Sequence, residues 1–259
     1  MKMRNMTTLL LAVLMLMSTL AGCGSNNTTT PDIGGDVAPL ESTNGSEDLS
    51  GDVTPPESTG GSEDETPSDP TDNPLSIGRM EGGTYTNHYI GIACKLDESW
   101  TFYSAEELQE LPGKVEDLFD GSQLGDAMKD MENILDMQAE CVADLTNMNI
   151  AYQKLSMSDR LAYATMTEEQ IIDTVLAQQD LLEEAYTQAG ITVKSMGKKT
   201  VTFAGEERIA IYTVAETQGI PFYILQLHNN HLGAYSATVT LCSYVEDNTA
   251  DLLELFYAI

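Results

Sequence analysis

The residues best suited to bind a metal ion are His228 and His231, three positions apart in the segment HNNH. Imidazole nitrogens at this spacing can share a zinc or copper ion, and His88 is the only other histidine in the sequence that could help. Asparagine-rich polar turns are common, however, and the segment falls in a predicted hairpin turn. We therefore assign no metal ligand and no cofactor, and leave metal binding by HNNH as the alternative.

Three cysteines follow residue 80, namely Cys94, Cys141 and Cys242, and none has the spacing of a zinc ligand. Cys94 and Cys141 each continue an apolar alternation along the chain, which predicts that they are small core residues. A disulfide between Cys94 and Cys141 is the alternative. Because the number of cysteines is odd, at least one thiol stays unpaired within the domain.

The carboxylates show no catalytic arrangement. Those on predicted helices fall on polar faces, which predicts contact with solvent: Asp126, Asp130, Asp173, Glu183 and Glu184. Met128 and Met131 have helical spacing, which favours core packing over copper binding. The sequence contains no HExxH, no GxSxG, no phosphate loop and no dinucleotide fingerprint. We therefore predict no catalytic residue and no enzyme.

The first 22 residues have the layout of a secretory signal peptide. Lys2 and Arg4 precede an apolar run from Leu9 to Met17, and small residues follow. An apolar run of about ten residues is too short for a membrane span, which needs roughly 20. Residues 1–22 are therefore predicted to be a leader that is removed from the mature chain.

The residues Leu20, Ala21, Gly22 and Cys23 resemble the lipobox of bacterial lipoproteins. This resemblance implies cleavage between Gly22 and Cys23 and a diacylglyceryl group on the Cys23 sulfur. Two acyl chains are sufficient for stable attachment to a bilayer. We therefore expect a protein anchored by lipid to the extracytoplasmic face of the cell membrane, in a Gram-positive host. The alternative is an ordinary secreted protein with a chance cysteine.

Residues 23–80 are predicted to be a disordered acidic linker. The segment GDVAPLESTNGSED, from Gly35, recurs as GDVTPPESTGGSED, from Gly51, with a period of 16 residues. Residues 24–78 contain twelve Asp or Glu, no Lys or Arg, and seven of the nine prolines. Such a composition cannot bury enough apolar surface to offset chain entropy. Weak calcium binding by the acidic triplet 63–65 is the alternative, although nothing fixes these ligands in space.

The charge of the chain excludes two classes of partner. Of the formal charge of −29, the leader contributes +2 and the linker −12, so −19 remains from Arg79 onward. An acidic surface of this kind repels nucleic acid and anionic lipid headgroups. We therefore predict no nucleic-acid partner and no membrane contact beyond the lipid anchor.

Residues 81–259 have the composition of one globular domain. The segments YIGIACKL and WTFY, from Tyr89 and Trp100, predict two strands. A capping box at 104–107 predicts a short helix that ends near Pro112. A second helix is predicted over Leu124–Leu135. The segment MQAECVADLTNMNIAYQKL is predicted as a hairpin that turns near Asn147, with continued helix as the alternative.

The second half of the domain predicts one long helix and then four strands. A capping box at 167–170 begins the helix, and Gly190 offers a left-handed stop. The segments KKTVTFA, ERIAIYTVA, IPFYILQL and GAYSATVTLCS follow, joined at Gly205, at Gly219 and at 228–233. Short connections make neighbouring strands antiparallel. A final helix is predicted to turn four side chains inward: Leu252, Leu253, Phe256 and Tyr257. The expected class is α+β, an antiparallel sheet covered by helices.

The order of these segments, with Trp100 after the first strand and TFAGEE between later strands, resembles the PsbP-like fold. Domains in uncharacterised lipoproteins of clostridial-type Gram-positive bacteria are similar. The resemblance covers Tyr85–Ile259, and it implies a domain that binds proteins or metals and is not an enzyme. No site residue carries over from the resemblance.

The function expected from these patterns is a non-catalytic domain on a lipid anchor that binds an unknown protein or other partner in the cell envelope. One alternative is a ligand- or metal-binding accessory lipoprotein of a transport system. A less favoured alternative is an envelope enzyme with an acidic site.

Overall fold

The structure is a computed structural model that describes residues 78–118, 133–229 and 234–259. The leader and nearly all of the predicted linker lie outside these ranges, as do Cys23 and His231. The strands are, in chain order, β1 (Arg79–Glu81), β2 (Thr84–Asn87), β3 (Ile92–Lys95), β4 (Trp100–Phe102), β5 (Asn133–Cys141), β6 (Thr146–Lys154), β7 (Thr192–Phe203), β8 (Glu206–Thr217), β9 (Ile220–Asn229), β10 (Tyr235–Tyr244) and β11 (Phe256–Ala258). The helices are α1 (Ala105–Leu118), α2 (Met157–Tyr163), α3 (Glu168–Leu176), α4 (Gln179–Gln188) and α5 (Thr249–Leu253).

Within the described ranges, seven strands form a large sheet in the order β4-β5-β6-β10-β9-β8-β7. Every neighbouring pair is antiparallel. The four predicted strands correspond to β7, β8, β9 and β10, and their antiparallel pairing is confirmed. Gly205 and Gly219 lie in the first two turns with φ of 86° and 80°, which a glycine adopts without steric cost.

A smaller antiparallel sheet, in the order β1-β2-β3-β11, uses both ends of the described domain. β1 begins at Arg79, two residues before the predicted start of the domain. The predicted final helix is wrong beyond Leu253, because residues 256–258 form a strand that pairs with β3. Side chains alternate along a strand, so Phe256 is buried while Tyr257 is 45% exposed.

The large sheet separates two cores. One face packs against α1, α3 and α4, through residues such as Ile172, Leu182 and Ile211. The other face packs against the small sheet and α5, through residues such as Tyr85, Ile150 and Leu252. The predicted α+β class is confirmed in this coarse form, although strands dominate and the small sheet takes the place of helices on one face.

The segment after α1 differs from the prediction in part. The hairpin of β5 and β6 is confirmed, and it turns at residues 142–145, so that Asn147 lies within β6. The end of the helix predicted over Leu124–Leu135 is wrong, since β5 begins at Asn133; residues 124–132 lie outside the described ranges.

The capping box at the start of α1 is confirmed, with Ser104 N bonded to Glu107 Oε2 at 2.9 Å. The predicted end near Pro112 is wrong, because α1 continues to Leu118.

The long helix predicted from residue 167 is divided. Its capping box at Thr167 is confirmed, but α3 ends at Leu176 and α4 begins at Gln179. The division lets α3 contact β8 and α4 contact β7. Gly190 ends α4 with φ of 74°, as predicted. α2 was not predicted. Each helix in the described part of the chain is too short or too polar to cross a membrane.

Candidate functional site

The predicted lipid attachment site, Cys23, and the predicted cleavage position after Gly22 both lie outside the described residues. Both stay predictions. The described chain begins at Gly78, whose main-chain N–H lies 2.9 and 3.2 Å from the two carboxylate oxygens of Asp136. A Cβ atom at residue 78 would lie only 2.3 Å from a ring carbon of Tyr85. The absence of a side chain at Gly78 therefore allows the chain to reach this carboxylate.

Asp136 is the centre of a buried polar cluster between the two sheets, which we call the Asp136 network: Asp136, Tyr85, Asn87 and Tyr152. A bulge between Leu135 and Met137 interrupts the pairing of β5 with β6 and leaves Asp136 out of register. β-bulges re-aim a side chain, so this one turns the carboxylate toward β2. Each of the four side chains is at most 5% exposed.

The hydrogen bonds of the Asp136 network satisfy a carboxylate that has little contact with water. The Tyr85 hydroxyl donates to Asp136 Oδ2. Asn87 Nδ2 lies 2.7 Å from the same oxygen, 2.6 Å from Tyr85 Oη and 2.5 Å from Tyr152 Oη. Asn87 Oδ1 accepts from the main-chain N–H of Tyr89 at 3.0 Å, which fixes the orientation of the amide.

The pKa values in this network are shifted mainly by burial. Burial raises the pKa of Asp136, while hydrogen bonds from Tyr85, Gly78 and Asn87 act in the opposite direction. Burial and the neighbouring carboxylate raise the pKa of both Tyr85 and Tyr152, so both phenols stay protonated. The four side chains satisfy one another and the Gly78 main chain, and the Asn87 amide nitrogen contacts the other three. We therefore interpret the network as a structural joint between the sheets.

The structure describes two of the three histidines, His88 and His228, and they differ in burial. His228 is part of β9 rather than of a turn, it pairs with Thr238 on β10, and it is 3% exposed. Its Nδ1 lies 3.3 Å from Thr238 Oγ1. His88 is exposed in the connection after β2. Among the described residues there is no group of three or more His, Cys, Asp or Glu side chains that could hold a metal ion.

The three described cysteines are free and buried, so the alternative of a disulfide between Cys94 and Cys141 is not present in the structure. Cys94 Sγ lies 4.0 Å from Met148 Sδ in the core between the sheets. Burial raises the pKa of the Cys94 thiol to about 12 and also raises that of Cys242. Thiols held protonated in this way are poor nucleophiles.

The predicted solvated carboxylates lie on helix surfaces where the structure describes them. Asp173 is exposed and pairs with Lys198 at 2.7 Å. Glu184 is exposed and Glu183 is half-buried, and each accepts a hydrogen bond from a glutamine of α4. Asp126, Asp130, Met128 and Met131 lie outside the described residues.

An exposed apolar cluster lies at the end of the large sheet where β5 and β10 finish. We call it the turn cluster: Val142, Leu145 and Val245, which are 55%, 40% and 51% exposed. Tyr244 N donates to Leu145 O at 3.0 Å, which holds the two turns side by side. Sequence patterns missed this cluster because apolar residues in turns carry no periodic signal.

Val245 has a strained backbone. Its φ is 70°, and Glu246 N donates to Tyr244 O at 2.8 Å, which closes a three-residue γ-turn around it. Positive φ is a genuine outlier for a β-branched residue, and such strain costs about 1–3 kcal/mol. Leu145 also has positive φ, at 52°. Two strained positions therefore present apolar side chains to solvent next to each other.

The residues around the turn cluster are acidic. Asp144 lies in the turn with Leu145, while Glu246 and Asp247 follow Val245 directly, and all three are exposed. Neither 142–145 nor 245–248 contains a Lys or Arg. An apolar centre with a charged rim is the usual anatomy of a protein interface.

No family model matches the sequence, and no curated protein matches it. Among solved structures, the chain is similar to the solution structure of cyanobacterial PsbP (CyanoP) from Synechocystis sp. PCC 6803. The identity is 10%, the match covers 68% of this chain and 91% of that chain, and the TM-score is 0.35. We draw no conclusion about function from a similarity at this TM-score.

The Asp136 network predicts a large effect of one substitution. Asp136→Ala removes the acceptor for the Gly78 N–H, the Tyr85 hydroxyl and the Asn87 amide. Each buried group left unsatisfied costs about 1–3 kcal/mol, so we expect the free energy of unfolding in urea to fall by about 3 kcal/mol or more. Asp173→Ala, at an exposed ion pair, should cost about 1 kcal/mol or less. Equal losses in the two variants would contradict the role of the network.

Proposed function

We propose that the protein is an extracytoplasmic lipoprotein, anchored through a diacylglyceryl group on Cys23, whose domain binds another protein of the cell envelope without catalysing a reaction. The leader, the four residues that end at Cys23 and the acidic linker support the anchoring. We also propose that the domain has the PsbP-like fold, because its segments follow one another in the same order.

The observation that carries the binding proposal is the turn cluster. A folded chain gains nothing in stability from a β-branched residue at positive φ with half of its surface in water. Strain of this kind is typical of sites retained for binding. Exposed apolar side chains at a strained turn can enter a pocket on a partner, with little loss of chain entropy on binding.

The charge of the rim selects the kind of partner. Asp144 and Glu246 are exposed and adjoin Leu145 and Val245 in the sequence, and the whole domain carries −19 from Arg79 onward. A partner that fits this surface has an apolar pocket bordered by Lys or Arg side chains. Complementary charge speeds association and excludes acidic partners.

The anchor is tested by the intact mass of the chain extracted from the host membrane, beside a Cys23→Ala variant. We expect the wild-type chain to begin at Cys23 and to carry a diacylglyceryl adduct. The variant should lack the adduct and leave the membrane fraction. A wild-type chain without lipid would contradict the anchoring.

The interface is tested by a photo-crosslinking side chain placed at residue 142 in intact cells. We expect adducts with a partner whose crosslinked peptides are rich in Lys and Arg, and we expect fewer adducts as ionic strength rises. The same side chain at Leu161, which is 67% exposed on α2, is the control and should give none of these adducts.

Val245→Gly separates binding from folding in the same experiment. Glycine adopts positive φ freely. The free energy of unfolding of this variant should therefore equal that of the wild type or exceed it by up to about 1 kcal/mol. It should nevertheless lose most adducts at residue 142. Unchanged adducts in the Val245→Gly variant, or equal adducts from residue 161, would argue against the turn cluster as the interface.

A further inference from the structure

Four strands form the outer edges of the two sheets in the described part of the chain. β4 and β7 are the edges of the large sheet, and β1 and β11 are the edges of the small one. β1, β4 and β11 are each 3 residues long, whereas β7 has 12 residues. Proteins usually keep free edges short, because unpaired main-chain groups are a template for another strand. β7 is therefore the edge at which a further strand can add.

The last part of β7 directs main-chain groups away from β8. Phe203 pairs with Glu206 across a two-residue turn, and the pair that closes such a hairpin exchanges both main-chain hydrogen bonds. Pairs with and without these bonds alternate along an antiparallel ladder. The N–H and C=O groups of Thr202 and Thr200 therefore point to the free edge, and both residues are exposed. Two donors and two acceptors are available there to an added strand.

A groove of about 430 Å³ runs beside this part of β7 and is open to solvent. We call it the β7 groove. One wall consists of residues 199–202, 204 and 205, and the opposite wall contains Ala250, Leu253 and Glu254 with Phe256 of β11. The ring centres of Phe203 and Phe256 lie 5.2 Å apart, which holds the two walls together.

A strand added beside β7 would place side chains in the β7 groove. Side chains alternate between the two faces of a strand, and Val201 of β7 is on the face that packs toward the small sheet. Every second side chain of the added strand would lie on the same face as Val201, next to Leu253 and Phe256. These neighbours are apolar, so apolar side chains fit the alternate positions.

The unbalanced charge at the β7 groove is negative. Glu254 lines the groove and Asp251 precedes it by three residues; both are exposed, and neither has an ion-pair partner among the described residues. Lys199 also lines the groove, but its Nζ lies 4.0 Å from an Asp247 oxygen and 4.1 Å from the centre of the Tyr212 ring. Its charge is therefore balanced within the domain. A segment that carries Lys or Arg complements the opposite wall.

A second copy of this chain is a poorer occupant than another polypeptide. On the groove face of β7, Phe203 already packs against Phe256 and Lys199 against Tyr212 of the same domain. These side chains are not free to enter the groove of a second copy. Two copies related by a two-fold axis at β7 would also bring two acidic walls to one joint, and like charges at an interface are unfavourable.

We propose that β7 and the β7 groove bind an extended segment of another polypeptide, in which apolar residues alternate along a strand and Lys or Arg residues flank them. Main-chain hydrogen bonds to Thr200 and Thr202 supply affinity, and the groove selects the alternate side chains. The β7 groove shares no residue with the turn cluster, so the outcome here is independent of the partner proposed for that cluster.

The test is fluorescence anisotropy of a labelled nine-residue peptide, in which valine alternates with threonine and lysines stand at both ends, titrated with the full chain. We expect binding with a dissociation constant below about 1 mM, and binding at least roughly tenfold weaker when glutamate replaces lysine in the peptide. Hydrogen exchange of the Thr200 and Thr202 amides should slow in the complex, because strand addition protects both N–H groups.

Thr202→Pro removes one N–H group at the free edge. A proline is tolerated in an edge strand where its nitrogen faces solvent, so this variant should melt at nearly the same temperature as the wild type. It should bind the basic peptide roughly tenfold more weakly or not at all. The variant keeps the acidic linker, so any non-specific attraction of the peptide to the linker stays the same.

Glu254→Lys is the second variant, and Glu81→Lys, at the opposite edge of the small sheet, is its matched control. Glu254→Lys should weaken binding of the basic peptide and strengthen binding of the acidic one, while Glu81→Lys should change neither. If Thr202→Pro melts well below the wild type, the comparison of these two variants decides, and equal effects in both would overturn the proposal.

Three further results would overturn it. One is no binding of the basic peptide up to about 1 mM. Another is equal binding of that peptide by the wild type and by a folded Thr202→Pro variant. The third is a dimer of the wild type in sedimentation that Thr202→Pro dissociates, which would identify a second copy as the occupant.

Discussion

The arrangement of the domain depends on the hydrogen bonds that the buried Asp136 carboxylate accepts. It accepts hydrogen bonds from the Gly78 main chain and from Tyr85, and with Asn87 it joins β2 of the small sheet to β5 of the large one. A buried carboxylate is tolerated only when donors surround it. The bulge at residue 136 and the glycine at position 78 both bring hydrogen-bond donors to this carboxylate.

The two faces of the large sheet differ in composition. The face toward the small sheet is apolar and supplies burial, with Ile150, Leu225 and Val239 among its residues. The other face is apolar near its helices, while its middle carries buried polar side chains. Five of their atoms, in Gln138, Asn149, Gln226 and His228, have no hydrogen-bond partner among the described residues. Five unsatisfied atoms there and a strained Val245 at the sheet end all reduce stability. The satisfied Asp136 network stabilises the domain, whereas these two features cost stability.

Much of the fold is predictable from local patterns, and the candidate sites are not. The capping boxes at residues 104 and 167 and the strands β7–β10 follow from short-range chemistry, which the structure confirms. β11 was predicted as helix because Leu252, Leu253 and Phe256 fit a helical stripe, whereas pairing with β3 decides the outcome. The divided helix at Leu176–Gln179 contains no proline or glycine, and it follows from packing on two strands.

The candidate sites cannot be predicted from the sequence, because they depend on how strands that are far apart in the chain pair with each other. Asp136 stands between Leu135 and Met137, and only the bulge shows that these neighbours face different cores. Gln138, Asn149 and Gln226 lie far apart in the sequence, and the register brings them with Thr240 into one row across four strands. His228 was placed in a turn because HNNH resembles one. In the structure His228 is buried in β9, and this burial lowers the pKa of its imidazole to about 4.

The most direct test of this account is native-state hydrogen exchange on the full chain, because it measures whether the two sheets open together. If the Asp136 network joins them, the amides of β2 and β3 should exchange with the same opening free energy as those of β5 and β6. Substantially faster exchange in β2 and β3, with β5 and β6 still protected, would show that the small sheet opens on its own. That result would contradict the central place given to Asp136.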